Sequence, residues 1–167
     1  MCSSDLIKRT LDEVMAGPSS EEFDGALADE CKLVANAKKL TLLIAGAATQ
    51  KYMMAIQDQQ EVMGAIADMV IETFAMESAL LRARKLVASQ GESQSKLAIA
   101  MTQCYLMDAM AKIELAARKV AAAVAEGDML RSQMAIIRRL AKHEPANTIA
   151  LRQQIAERVI EQGKYVL

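Results

Sequence analysis

One histidine, His143, is all that the 167 residues contain, and tryptophan is absent. A carboxylate-bridged di-metal centre needs a Glu-x-x-His pair on each of two helices plus a glutamate from each of two more, so it cannot be assembled. Bis-histidine haem fails for want of a second imidazole, and no Cys-x-x-Cys-His stretch offers covalent haem attachment. Only 2 prolines and 7 glycines punctuate the chain. A β-sandwich or barrel, with turn residues every ten positions or so, is thereby excluded. The three cysteines, Cys2, Cys31 and Cys104, are odd in number and lack Cys-x-x-Cys spacing. That rules out a disulfide framework and a zinc site, and predicts small buried hydrophobes at Cys31 and Cys104 in a reducing, cytoplasmic setting. No charge of one sign prevails: 20 basic residues stand against 21 acidic, a formal net of -1. Phosphate-driven nucleic-acid binding is not expected from such a balance. Uncharged stretches such as Leu40–Gln50 fall far short of the ~20 residues that span a bilayer. No basic region followed by an apolar core marks the start, so no secretion signal is expected.

What is present is helix-forming mass. Residues of the hydrophobic class make up 53%, among them 12 methionines, while aromatics are 3%. Ala, Leu, Met, Lys and Glu all favour helix, and a chain this long folds as one core. The expectation is an all-α antiparallel bundle of three long and two or more short helices. Residues 1–18 read as a connector helix, 19–163 as the bundle domain, and 164–167 as a tail. The opening Met-Cys-Ser-Ser-Asp-Leu matches a translated sequencing adapter, so residues 1–6 are expected to be non-native and the native frame to continue upstream. The alternative is a genuine start, with Ser3 or Ser4 as a cap.

Apolar spacing of three and four places the elements. Asp5–Ala16 is a short helix stopped by Gly17-Pro18. After Ser19 or Ser20 a long helix runs, at latest from Ala26, through Leu33, Val34, Ala37, Leu40, Ile44, Ala48 and Tyr52 to about Ile56. Gln57–Gln60 is polar and predicts a turn with Asp58 as N-cap, although a continuous helix remains open. The next helix, about Gln59–Ser89, carries Val62, Met63, Ile66, Met69, Val70, Phe74, Leu80, Leu81 and Val87, and Gly91 breaks it. A third, from Ser93 or Ser95 to Gly127, carries Leu97, Met101, Cys104, Tyr105, Met107, Met110, Ile113, Leu115, Val120 and Val124. Asp128 is expected to cap a helix over Met129–Lys142, ended at His143-Glu144-Pro145. Asn147 caps the last, Thr148–Gln162, closed by Gly163. Ion pairs are expected at Asp108–Lys112 and Glu114–Arg118.

Few residues offer chemistry. Asp68 and Glu72 lie four apart on the second long helix and could form an acid–base pair. They would repel unless a cation from another helix enters, so a solvated stripe or inter-helix ion pairing is the expected use. Glu77, among Ala75, Met76, Ala79 and Leu80, is the candidate for a partly buried, paired carboxylate. Met63, Met69, Met76, Met101, Met107 and Met110 read as adaptable core filler, with an acyl groove as the sharper option. Arg131, Arg138, Arg139 and Lys142 form a basic edge, solvated by default and suited to a partner domain or anionic lipid. His143 reads as a favourable charge at a helix C-terminus. No glycine-rich phosphate loop or nucleophile–base motif appears. No catalytic, cofactor-binding or metal residue is predicted.

Two stretches resemble a known family. Glu61-Val-Met-Gly-Ala-Ile-Ala-Asp-Met-Val-Ile-Glu-Thr-Phe-Ala-Met-Glu-Ser-Ala-Leu-Leu-Arg-Ala-Arg-Lys85 resembles the C-terminal helical extension of acyl-CoA dehydrogenases similar to the very-long-chain enzymes. So does the ending, from Arg138-Arg139-Leu140 through Pro145–Arg152 to Ala156–Gly163. The resemblance runs from about Phe23 to Leu167. It implies a parent enzyme that oxidises acyl-CoA to trans-2-enoyl-CoA with FAD and passes electrons to an electron-transfer flavoprotein. In that family a glutamate takes the α-proton while the β-hydride goes to the flavin, and both lie in preceding domains. The Phe-Glu-Gly-Thr-like stretch and Ile-x-Arg helix around that glutamate have no counterpart here. The chain alone is therefore expected to be inactive and to lack flavin. Its implied partners are the flavin domain of the same polypeptide and, as options, a second subunit or a membrane surface. A self-standing bundle binding lipid or a protein partner is the rival reading.

Overall fold

The computed structural model describes residues 25–164. Its order is α1 (Ala28–Tyr52), a 3-10 segment (Met53–Asp58), α2 (Gln60–Gln90), α3 (Lys96–Val124), α4 (Gly127–Ala141) and α5 (Thr148–Gln162). Among the described residues there is no strand. Three long helices and two short ones match the expected bundle. The expected helix over Asp5–Ala16 and the caps at Ser3, Ser4, Ser19 and Ser20 lie outside the described residues, as does Cys2.

Cross-helix contacts fix the directions. Lys38 and Thr41 of α1 meet Glu77 and Thr73 of α2, so those two run antiparallel. Glu72 meets Tyr105 and Lys112 across the α2–α3 seam. Glu30 pairs with Gln103 and Tyr52 with the Ala123 carbonyl, so α1 and α3 lie parallel, with α2 packed against both. α4 returns against α3 and α1, while α5 packs on α3, held at Cys104–Thr148 and Asp108–Arg152.

The core is aliphatic and sulfur-rich. Leu40 and Ile44 of α1, Met69 and Met76 of α2, Leu106, Met110 and Ile113 of α3, and Ile137 of α4 are fully enclosed. Each such side chain contributes about 1.5–3 kcal/mol by leaving water. α3 is the hub: alanines 109, 117 and 121 have no exposed surface and let neighbouring helices approach it closely. α5 has no buried residue.

Several boundaries differ from expectation. α1 stops at Tyr52, not Ile56, and the chain passes into the 3-10 segment through Met53, which holds φ 49 and ψ -122. Asp58 is not an N-cap. It ends the 3-10 segment, and Gln59 precedes α2 without a side-chain cap. The Gln57–Gln60 region is thus a true break. α3 ends at Val124 because Ala125 and Glu126 are extended, and α4 begins at Gly127 with Asp128 inside its first turn. Asp128 instead accepts from Arg131. Asn147 does cap α5: its Oδ1 takes the Ala150 N–H at 3.1 Å, and Gly163 closes that helix in the left-handed region at φ 62.

Candidate functional site

A groove runs along the α2–α3 seam. About 390 Å³ in volume, it is lined by Asp68, Ile71, Glu72, Lys112, Leu115 and Lys119 among others. Glu72 is among the lining residues. The helical repeat turns Glu72 inward beside Thr73 and Met76, yet close enough to the surface for Lys112 to reach it. Lys112 Nζ donates to Oε1 at 2.6 Å, and the Tyr105 hydroxyl donates to Oε2 at 2.8 Å.

These contacts decide the chemistry. The Lys112 ammonium, aided by the Tyr105 hydroxyl, holds the Glu72 carboxyl below the usual glutamate range against the opposing effect of burial. Tyr105 is pushed up to about 12, first by burial and then by the hydrogen bond and charge of Glu72. Lys112 is raised by its bond to Glu72. A general acid or base works best with its pKa near the operating pH. Here the contacts favour the ionised carboxylate and the protonated phenol and ammonium. The cluster is a clamp between helices.

Asp68 and Glu72 take the expected inter-helix ion-pairing and solvated roles, not an acid–base pairing. Asp68 is exposed at the groove rim, while Glu72 is committed to α3. The cation that relieves their repulsion is Lys112, which corrects the expected Asp108–Lys112 pair. Asp108 turns instead to Arg152 of α5 at 2.5 Å. Cross-helix partners win because each joins two elements, whereas an exposed pair four apart stabilises by only ~0.3–0.5 kcal/mol. Glu114–Arg118 does form. Glu77 is half-buried and bonds Lys38 of α1, as its apolar setting suggests. Thr41–Thr73, a buried hydroxyl pair at 3.0 Å, carried no signal in the sequence pattern.

The methionines divide. Met69, Met76 and Met110 are core, Met101 and Met107 are partly buried, and Met63 is exposed. They line no common acyl groove. Cys31 and Cys104 are buried, and burial pushes both thiols up, away from nucleophilic thiolates. His143 follows α4, its Nδ1 at 2.7 Å from the Ala141 carbonyl. Arg131, Arg138, Arg139 and Lys142 are all exposed. Among the described residues no group of His, Cys, Asp and Glu is placed to hold a metal, and no helix is long and apolar enough to cross a membrane.

The architecture and the helical pattern meet a known family. The family described as "Acyl-CoA dehydrogenase, C-terminal domain" matches residues 36–139. The chain belongs to the acyl-CoA dehydrogenase family, as its C-terminal domain. It is 35% identical over 156 residues to a probable acyl-CoA dehydrogenase of Bacillus subtilis (strain 168), covering 93% of this chain and 26% of that protein. It is also similar to an acyl-CoA dehydrogenase complexed with FAD from Bacillus anthracis, with TM-score 0.94 and 35% identity, covering 100% of this chain and 28% of that one. The chain thus spans about a quarter of these relatives.

The α2–α3 groove is lined by residues from the middle of both helices, not from a helix start. A dinucleotide pyrophosphate seeks free N–H donors at a helix start. The groove's lining carries the Glu72 carboxylate, bonded by Lys112 and Tyr105, together with Asp68 and Lys119. No redox step is assigned to this domain.

Proposed function

We propose that this domain is an accessory module that packs against the flavin-bearing part of an acyl-CoA dehydrogenase. In this reading the acyl thioester, the FAD and the electron-transfer flavoprotein are handled by the preceding domains, in a cytoplasmic enzyme. The observation that carries it is the 94-hundredths structural match to one quarter of an FAD-complexed relative, set beside a polar cluster held away from acid–base work. Two exposed regions suit the packing: the basic edge at Arg138 and Arg139, and the outer side of α5, where Ile149 and Ile160 stand open to solvent. The family assignment leaves the self-standing lipid-binding bundle without a supporting observation.

The test is to purify the 167-residue chain and measure flavin absorbance and acyl-CoA-dependent dye reduction. A folded, colourless, inactive helical protein is expected. Bound flavin or turnover would overturn the proposal.

A further inference from the structure

α5 is attached to the bundle differently from the other four helices. α1, α2, α3 and α4 all send side chains into one core cluster, and α5 sends none. It packs on α3, whereas α4 returns against both α3 and α1. Leu151, Ile155 and Val159, at spacings of four, form its partly covered side, while Ile149 and Ile160 are 70% and 78% exposed. What holds α5 is polar and shallow. The Arg152 and Asp108 side chains that meet at 2.5 Å are both about half exposed, and solvent leaves such a pair worth little. The Cys104 thiol donates to the Thr148 carbonyl at 3.8 Å, and a thiol is a weak donor. Residues 142–147 lead into the helix, and Lys142 leaves α4 in an extended conformation. Among the described residues no backbone hydrogen bond ties this stretch to α3; the Thr148 N–H turns back to the Ala146 carbonyl. Cys104 sits beneath the start of α5, buried but outside the core cluster, whereas Cys31 lies within it.

We propose that α5 is a detachable arm. It leaves α3 as one cooperative unit, pivoting on residues 142–147, while α1 to α4 stay folded. Openings smaller than global unfolding arise where few apolar groups are buried and the bonds to be broken already face water. The loss here is three half-covered aliphatic side chains, one exposed ion pair and one thiol bond. A helix of 15 residues is marginal alone in water, so α5 loosens as it lifts, and anything that weakens its cap or its inner side favours the open form. Opening uncovers Cys104 and the flank of α3 around Asp108. The packing on a flavin-bearing part concerns the outer side of α5; the arm concerns its inner side and stands whether or not that packing occurs.

Iodoacetamide labelling of the 167-residue chain in a Cys2→Ser background, followed peptide by peptide with mass spectrometry, tests the arm. Cys104 is expected to react roughly tenfold or more faster than Cys31. Its rate should rise little in urea below the unfolding transition, while Cys31, which waits for the core to open, follows urea steeply. Asn147→Ala, which removes the cap of α5, should speed Cys104 labelling about fivefold and leave Cys31 unchanged. Leu151→Ala, on the inner side, should act in the same direction. Ile160→Ser, on the open side, should alter neither rate, since isoleucine and serine are alike in helix propensity. Equal rates at the two cysteines, an equally steep urea dependence, or Cys104 labelling indifferent to both Asn147→Ala and Leu151→Ala overturns the proposal.

Discussion

Thr41 and Thr73 face each other across the α1–α2 seam with hydroxyl oxygens 3.0 Å apart, both buried. Two neutral hydroxyls satisfy one another where water does not reach, and either one alone becomes a buried group without its partner. Thr41→Val is therefore expected to destabilise by about 1 kcal/mol, while Thr41→Val with Thr73→Val together costs less than the sum. Urea denaturation of the two single variants and the double variant measures the coupling.

The Glu72 clamp makes stability depend on pH. Its folded pKa lies below the ordinary glutamate value, so its contribution is present above that value and is lost as pH falls through the depressed one. Glu72→Gln should flatten this acid limb and lower the midpoint at neutral pH. Thermal unfolding from neutral to strongly acidic pH checks both.

Tyr105 gives the same cluster a spectroscopic handle. Because its hydroxyl is pushed up to about 12, phenolate absorbance should show a late component that Tyr105→Phe removes. The sign is the reverse of Glu72: stability is full below the ordinary tyrosine pKa and declines as pH rises towards that late titration.

Packing on α3 separates core from surface. Ile113→Ala, at a fully enclosed position, should cost about 2–5 kcal/mol by lost transfer energy and a residual cavity. Leu115→Ala, two residues on and 57% exposed, should stay within about 0.5 kcal/mol. Chemical denaturation distinguishes them.

Asn147→Ala removes the bond to the Ala150 N–H and should cost about 1 kcal/mol. Since α5 buries no residue completely, the loss should appear as faster amide exchange over residues 148–162, with the first four helices unchanged.

Helix existence and phase were legible because Leu33, Leu40 and Ile44, or Met110, Ile113 and Val120, repeat at helical spacing, and because Gly91 and Gly163 mark ends. The break after Tyr52 was less so. No proline or glycine signals the turn at Met53, and Asp58 offered a cap that the 3-10 segment leaves unused. The inner face of α2 was ambiguous because Phe74 and Val70 are as apolar as Met69 and Met76, so the pattern allowed either side inward. Lys112 illustrates the remaining limit: one residue had a local partner, Asp108, and a distant one, Glu72, and only the seam between helices settles which it meets. Glu72 takes its expected inter-helix ion pair at that same seam.

The parallel placement of α1 beside α3 has a consequence for synthesis. When the first two helices leave the ribosome, Leu40, Ile44, Met69 and Met76 have each other but lack their third wall, which Leu106, Met110 and Ile113 supply. The nascent hairpin must wait, greasy and half-covered, until Leu106, Met110 and Ile113 emerge in their turn, so a translational pause after Gln90 has cleared the ribosome and before Ile113 does leaves this polypeptide open to chaperones and to misassembly.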